Sequence, residues 1–314
     1  MKNCSLNKKC FFYTLGLNRV IISFCILFYA NLSIGQQLPF HSQYMFDGYL
    51  LNPAYAGTKD YTHVNLSIRN QWTGFPDAPQ TMTLSANGKL RDNMAIGGGL
   101  FNDQTGPTGR TGLMASYAFH VPFDNSTLSF GLSGMVFQYV LDKTKLTTLE
   151  PDDDAMQGEL TKQLVPEATF GIHYFADNYY VGFAIPQLIE WKLNVGLYEN
   201  SNEMKRHYFA TAGYIFALSG DFELEPSLLV KATSAAPVQA DVNLKVKYQS
   251  FLWLGCSYRT QESLIFMLGA NKSNVQFGYA YDATLTNIKN YSSGSHEVFI
   301  GYRLGVKKGG KAMM

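Results

Sequence analysis

Apolar and polar residues alternate along much of this 314-residue chain. In QADVNLKVKY, residues 239–248, Ala240 and every second residue as far as Tyr248 lie on one face, while Gln239 and the polar residues between them lie on the other. YTHVNLSIRNQW, residues 61–72, repeats the pattern. Because successive side chains of a β-strand point to opposite faces, a period of two predicts strands with one apolar and one polar face.

Fourteen runs of this kind predict an antiparallel β structure. The predicted strands are 61–71, 79–87, 93–101, 110–121, 126–140, 164–175, 179–186, 206–218, 221–232, 238–248, 251–259, 263–270, 275–282 and 295–304. Many of them are long enough for a membrane strand, which needs about 9–11 residues when tilted, whereas strands of globular proteins average about 5–6 residues.

The connections between these strands form two sets. Those after even-numbered strands are short and contain Gly, Asn, Asp or Ser, at 88–93, 122–125, 176–178, 218–221, 249–250 and 271–274. Those after odd-numbered strands include the long ones, at 71–79, 141–163, 187–205 and 284–294, although 260–262 is short. Short periplasmic turns and longer extracellular loops are typical of bacterial outer-membrane barrels. The sequence therefore predicts an all-β fold, a transmembrane antiparallel β-barrel of about 14 strands; a soluble secreted β-sandwich is the alternative.

The polar strand faces would line the interior of such a barrel. They carry charges of both signs, at Arg69, Glu223, Glu225, Lys231, Asp241, Lys245, Lys247, Glu297 and Arg303. Mixed charges favour internal ion pairs over the single-sign lining of a selective pore. The three tryptophans, Trp72, Trp191 and Trp253, are predicted to lie at the membrane interfaces, with packing in a loop as the alternative for Trp72.

The N-terminus is predicted to be a signal peptide, residues 1–35, with a basic start, an apolar run over 20–30 and cleavage before Gln36. Its removal lowers the number of Lys and Arg residues from 25 to 21 against 24 Asp and Glu, a net charge of −3, which argues against nucleic-acid binding. Cys256 is then the last cysteine, so no internal disulfide is expected. We expect three further segments: an N-terminal periplasmic or plug segment at 36–60, the barrel at 61–304 and a basic tail at 305–314.

Four stretches resemble one family. They are QYMFDGYLLNPAYAG (43–57), RNQWTGFPDAPQTMTLS (69–85), YAYD (279–282) and YSSGSHEVFIGY (291–302). They resemble the PorP/SprF family, outer-membrane proteins of Bacteroidota that are tied to type IX secretion and gliding motility. The resemblance runs from about residue 36 to residue 304, and NPAYAG (52–57) is its most specific part.

The resemblance implies a non-enzymatic barrel in outer-membrane lipid that acts as an accessory component of type IX protein secretion. Its expected partners are type IX components on the periplasmic side and, for some members of the family, one secreted surface adhesin whose export or anchoring the barrel supports. The alternative is a passive or substrate-specific outer-membrane channel. No nucleic acid and no cofactor are expected.

Three groups of signature residues are the candidate functional residues. A plug or partner-binding role is expected for Phe46, Asn52, Pro53, Ala54, Tyr55, Ala56 and Gly57. The group near the first extracellular loop is Arg69, Gln71, Trp72, Gly74 and Phe75, and the C-terminal group is Gly294, Ser295, His296 and Glu297. The alternative for the first group is that these residues form a packed segment whose only role is to close the base of the barrel.

Residues that could carry catalysis or bind a metal do not form a recognisable motif. The six histidines lack metal-ligand spacing, and His296 and Glu297 point to opposite faces of a strand. The acidic run 152–154 lacks the spaced ligands and the glycine of a calcium loop. The sequence therefore predicts neither catalytic nor metal-binding residues.

Overall fold

The computed structural model describes residues 42–146, 160–193, 203–218, 220–249 and 251–305. The predicted signal peptide, most of the predicted tail and the acidic run 152–154 lie outside these residues. Within them, no helix is long and apolar enough to cross a membrane.

Fifteen strand segments make up the described fold. They are β1 (Thr62–Asn70), β2 (Gln80–Arg91), β3 (Met94–Thr105), β4 (Thr108–Pro122), β5 (Thr127–Asp142), β6 (Leu160–Phe175), β7 (Tyr179–Ile185), β8 (His207–Tyr214), β9 (Phe216–Ala217), β10 (Phe222–Thr233), β11 (Ala236–Tyr248), β12 (Leu252–Arg259), β13 (Ser263–Lys272), β14 (Val275–Thr284) and β15 (Ser295–Leu304). Short 3₁₀ turns occupy Ser42–Met45, Gly48–Leu50, Pro53–Tyr55, Lys143–Lys145 and Asn287–Asn290. The two-residue β9 continues β8 beyond Ile215, so the described chain forms fourteen barrel strands.

The strands form one closed antiparallel sheet. The strands pair in chain order, except that β8 and β9 both pair with β10; β11 pairs with both β10 and β12, and β1 pairs with both β2 and β15. The closing pair runs in register from Thr62 opposite Leu304 to Asn70 opposite His296. Closure leaves no free sheet edge and pairs the backbone groups of the wall, as a bilayer requires. The predicted fold class, an antiparallel barrel of about 14 strands, is confirmed.

The two faces of the wall differ as the alternation predicts. On β11, Asn243 is 3% exposed and points inward, whereas Leu244 is 40% exposed and points outward. The outer surface carries large apolar side chains such as Leu254, Phe266 and Leu268, while most inward residues are polar or charged. This arrangement is the inverse of a soluble protein, because the apolar face is the one that meets the surroundings. It excludes the soluble β-sandwich.

The long connections all leave the same end of the barrel. This loop end carries 71–79, 143–159, 186–206 and 285–294, whereas the turn end carries 92–93, 123–126, 176–178, 218–221, 249–251 and 273–274. The loop end also has short connections at 106–107, 234–235 and 260–262. The first two are shorter than the 102–109 and 233–237 that separate the predicted strands, because the strands on both sides extend further. β3 and β4 turn tightly at Gly106, whose φ is 54°.

Arginine at Leu244 should destabilise the barrel far more than arginine at Val238. Both residues are exposed on the outer face of β11, but Leu244 lies in the middle of the strand and Val238 near the loop end. A cation costs about 2–4 kcal/mol at the bilayer midplane and about 0–1 kcal/mol near the interface. The measurement is the free energy of unfolding in urea after refolding into lipid vesicles. Equal losses for the two variants would contradict the placement of this strand in the membrane.

Candidate functional site

The N-terminal segment, residues 42–57, folds into three consecutive short turns. The Asp47 carboxylate accepts a hydrogen bond from the Tyr49 amide, and the Asn52 Oδ1 atom accepts one from the Ala54 amide at 2.9 Å. Pro53 takes the first position of the last turn, where it has no amide hydrogen to lose. These side-chain hydrogen bonds cap the turns and stabilise a compact conformation in a stretch that contains no long helix or strand.

This segment lies inside the barrel, because its contacts reach opposite walls. The Tyr44 hydroxyl donates to Asn243 Oδ1 on β11 at 3.1 Å. The Tyr49 hydroxyl shares a hydrogen bond of 2.9 Å with Ser116 on β4. In the closed sheet, β4 and β11 are separated by several strands in both directions. The N-terminal segment therefore crosses the interior.

An aromatic stack anchors one side of the segment. The Phe46 ring lies 3.5 Å from Trp253 and 5.9 Å from Phe299, measured between ring centroids. The Lys245 ammonium lies 5.0 Å from the centre of the Phe46 ring and donates to the Met45 carbonyl at 2.9 Å. Trp253 is only 4% exposed, so its prediction as an interface residue is wrong. It occupies an inward position of β12, where the incoming Phe46 covers it.

Two wall glycines allow the NPAYAG turn to approach the backbone of the barrel. A side chain at Gly131 would collide with the backbone of Ala54, and one at Gly171 would collide with the Asn52 amide. At the same place, the Ser129 hydroxyl donates to the Ala54 carbonyl at 2.7 Å. This turn therefore packs against β5 and β6 at backbone distance, which ordinary side chains at the two glycines would prevent.

A buried ionic cluster holds the start of the segment. Arg69 reaches Asp282 at 2.7 Å through Nη2 and Glu297 at 3.3 Å through Nη1. The Ser42 amide donates to Glu297 at 2.6 Å, and the Ser42 hydroxyl donates to Asp282 at 2.8 Å. Arg259 lies 3.9 Å from Asp282 on the other side. Buried charges are costly unless paired and hydrogen-bonded, and here each carboxylate contacts both a cation and Ser42.

The same pairing continues along the inner wall. Lys231 lies 3.2 Å from Asp241, which Arg259 contacts at 3.1 Å, and Lys245 lies 2.7 Å from Glu225. All five side chains are buried. These charges of opposite sign thus pair inside the barrel, which is the internal pairing that the sequence predicts.

The first and last long loops are joined above the cluster. The Thr73 amide donates to the Gly294 carbonyl at 2.7 Å, and the Ser293 amide donates to the Thr73 carbonyl at 2.8 Å. The Trp72 amide donates to the Ser295 hydroxyl at 3.0 Å. Gly294 has a φ of 99°, a conformation that favours glycine. We call the joined surface, residues 71–79 and 285–294, the loop platform.

The loop platform exposes two aromatic side chains. Tyr291 is 72% exposed and Phe75 is 43% exposed. The Asp77 carbonyl accepts a hydrogen bond from the Gly106 amide at 3.0 Å, which ties the platform to the turn between β3 and β4. The aromatic pair therefore sits on a supported surface at the loop end.

The structure brings together most of the predicted signature residues, but not all of them. Arg69 and Glu297 meet directly, and Phe46 to Gly57 lie in the interior with them. His296 does not take part, because it points outward and its ring contacts Tyr279 at 2.6 Å. Sequence reasoning missed Ser42, Asp282 and the two wall glycines. Asp282 had a usable signal, since it ends the YAYD stretch on an inward position.

The segment descends from the loop end to the turn end. Ser42 lies beside Arg69, near the last residues of β1 and the first residues of β15. Gly57 donates to Asn87 near the other end, at 3.3 Å. The described chain therefore begins in the loop half of the barrel, although a segment that precedes β1 was expected to start on the side of the short turns.

Below the segment, a cavity of about 510 Å³ lies at the turn end. Lys59, Tyr61, Lys247 and Arg303 line it, together with residues of the short turn after β4. Among the described residues, no group of three His, Cys, Asp or Glu side chains is placed to hold a metal ion.

Fold and interior together define a membrane β-barrel whose lumen is occupied by its own N-terminal segment. Residues 33–302 match the family model described as type IX secretion system membrane protein PorP/SprF. The chain belongs to this family, as the resemblance in the sequence indicates, and it is an outer-membrane protein. No curated protein matches the chain at a significant level.

Several solved barrels are similar in fold. The toluene transporter TbuX of Ralstonia pickettii has a TM-score of 0.49 and 12% identity, covering 88% of this chain and 96% of that chain. A FadL homologue of Pseudomonas aeruginosa has a TM-score of 0.45 and 11% identity, covering 86% and 95%. The toluene transporter TodX of Pseudomonas putida has a TM-score of 0.46 and 10% identity, covering 82% and 93%.

Proposed function

We propose that this protein is a non-enzymatic accessory barrel of type IX secretion that supports the export or surface anchoring of a partner protein such as an adhesin. The observation that carries the proposal is the occupied lumen. The N-terminal segment crosses the interior and is held at one end by buried ion pairs and at the other by backbone contact with β5 and β6. Because its lumen is occupied, such a barrel is better suited to binding partner proteins than to conducting solutes.

The loop platform is the surface we assign to a secreted partner. Two signature stretches build it, and its exposed aromatic side chains, Phe75 and Tyr291, are of the kind enriched at protein interfaces. Hydrogen bonds between the two loops keep it ordered before a partner arrives, which lowers the entropic cost of binding. Type IX components of the periplasm would meet the opposite, turn end.

The second candidate function, a passive or substrate-specific channel, is favoured by the cavity at the turn end. That cavity of about 510 Å³ shows that the segment leaves part of the interior unfilled. A channel would still require the segment to move, because its contacts reach opposite walls above the cavity.

A clean deletion in the native host should remove at least one protein from the cell surface or the secreted fraction, measured by comparative proteomics. Wild-type protein should restore it, whereas a barrel with Phe75→Ser and Tyr291→Ser should restore it poorly. Leu146→Ser is the matched control, since Leu146 is similarly exposed at the loop end but lies outside the loop platform. An unchanged surface and secreted proteome in the deletion strain would contradict the accessory role.

A further inference from the structure

We propose that a second, apolar cavity in the loop half of the barrel binds a small neutral molecule with an apolar body and one hydroxyl donor, of the size and chemistry of phenol. The cavity has a volume of about 170 Å³. It lies between the N-terminal segment and the wall, where residues of β2 to β6 and of β8 line it. This binding site is independent of the secretion role.

The lining of the cavity selects for an apolar body. Its side chains include Leu50, Phe101, Met114, Met135 and Phe137. Methionine side chains are flexible and polarizable, so they adapt to an aromatic ring. An engineered apolar cavity of about 150 Å³ in another protein binds benzene, so one aromatic ring is the right scale.

Glu167 places a buried carboxylate in this lining. It is 5% exposed, and its Oε1 atom accepts hydrogen bonds from the amides of Ala168 at 2.7 Å and Ile189 at 3.2 Å. Its Oε2 atom is buried and has no hydrogen-bond partner among the described residues. A buried acceptor without a partner is unfavourable, and a ligand hydroxyl would relieve that cost.

The charges around the cavity favour a neutral donor over a cation. Arg110 lines the same cavity as Glu167, so a cationic ligand would meet the positive charge of a guanidinium there. Asp47 also lines the cavity, but its carboxylate lies 3.6 Å from His63 and accepts from Asn65 at 3.3 Å. Glu167 is therefore the acceptor that remains for a ligand.

Residues of the loop end form one side of this cavity. Met204 lines it and is itself buried, and its amide donates to the Trp191 carbonyl at 3.0 Å. Arg206 fastens the same stretch through a hydrogen bond of 2.9 Å to the Leu188 carbonyl. Glu167 is itself buried at this cavity, so a hydrogen bond from a ligand to its carboxylate would be stronger than the same bond in water.

Binding of phenol and toluene, which have nearly the same shape, tests the proposal. The full mature chain is placed in lipid nanodiscs, and uptake of each radiolabelled probe is measured by equilibrium dialysis against empty nanodiscs. We expect saturable binding of both probes, with phenol about tenfold tighter, the ratio that corresponds to about 1.4 kcal/mol. Glu167→Gln keeps an acceptor for the two backbone amides and should weaken phenol binding several-fold without changing toluene binding.

Met114→Trp should abolish saturable binding of both probes by filling the cavity. Leu113→Trp is the matched control, because Leu113 is the neighbouring residue of β4 and points outward. Met135→Trp is the second filling variant if the first does not refold. Uptake that is linear with concentration and equal in wild type and filling variant would overturn the site. Equal affinity for phenol and toluene in the wild type would overturn the assignment of a hydroxyl ligand.

Discussion

Replacing Arg69 with methionine is expected to destabilise the barrel by about 3–5 kcal/mol, which is the usual cost of removing one partner of a buried ion pair. Asp282 and Glu297 would keep their negative charges in a site that excludes water, and Arg259 is too far from Asp282, at 3.9 Å, to replace a direct contact. The measurement is the midpoint of urea unfolding in lipid vesicles, followed by the change in gel mobility of the folded barrel.

The exposed ion pair between Lys89 and Asp60 is the matched control. Its two atoms are closer, at 2.6 Å, but both side chains are largely exposed, so Lys89→Met should cost no more than about 1 kcal/mol. Combining Arg69→Met with Asp282→Asn and Glu297→Gln should recover part of the loss, because neutral amides tolerate burial better than unpaired carboxylates. Equal destabilisation by Arg69→Met and Lys89→Met would contradict the buried cluster.

Removing residues Phe46–Tyr55 is expected to leave a barrel that inserts but has lost its function. Strand pairing lies in residues 62–304, so closure of the sheet does not depend on the deleted stretch. The interior, however, loses the side chains that stack on Trp253 and pack against Gly131. Cells should become sensitive to large antibiotics that an intact outer membrane excludes, and surface display of the partner protein should fall.

A single substitution tests the same idea without a deletion. Gly131→Val would push the NPAYAG turn off the wall, because the new side chain would collide with the backbone of Ala54. Gly134→Val is the matched control on the same strand, since a side chain there has no neighbour within 4 Å. Gly134→Val should keep normal surface display and drug resistance. If Gly131→Val and the deletion keep them as well, residues 42–57 serve only to pack the interior.

The strands were predictable because each one carries its own signal. Alternation over eight or more residues identifies a strand without knowledge of its neighbours. β11, for example, is recognisable from residues 239–248 alone. Strand ends were less certain. The turn at Gly106 shows why: polar residues 102–105 fit a loop by composition, but pairing with β2 and β4 extends β3 through them.

The meeting of distant residues was not predictable from the pattern. Arg69 and Glu297 are opposite each other only because closure pairs β1 with β15 in one register. The prediction that Trp253 lies at a membrane interface is wrong for a related reason. Its inward orientation depends on its position within β12, and its partner Phe46 belongs to a segment without any periodic pattern. The sequence around Gly131 and Gly171 does not mark them as contact positions, because the turn that packs against them lies more than seventy residues away.

Ion conductance in planar lipid bilayers tests most directly the claim that the N-terminal segment occupies the lumen. The wild-type barrel is expected to insert without steady conductance steps, and the barrel lacking Phe46–Tyr55 is expected to give large, persistent ones under the same voltage and salt. Wild-type protein that conducts as well as the deletion variant would contradict the occupied lumen and would favour the channel.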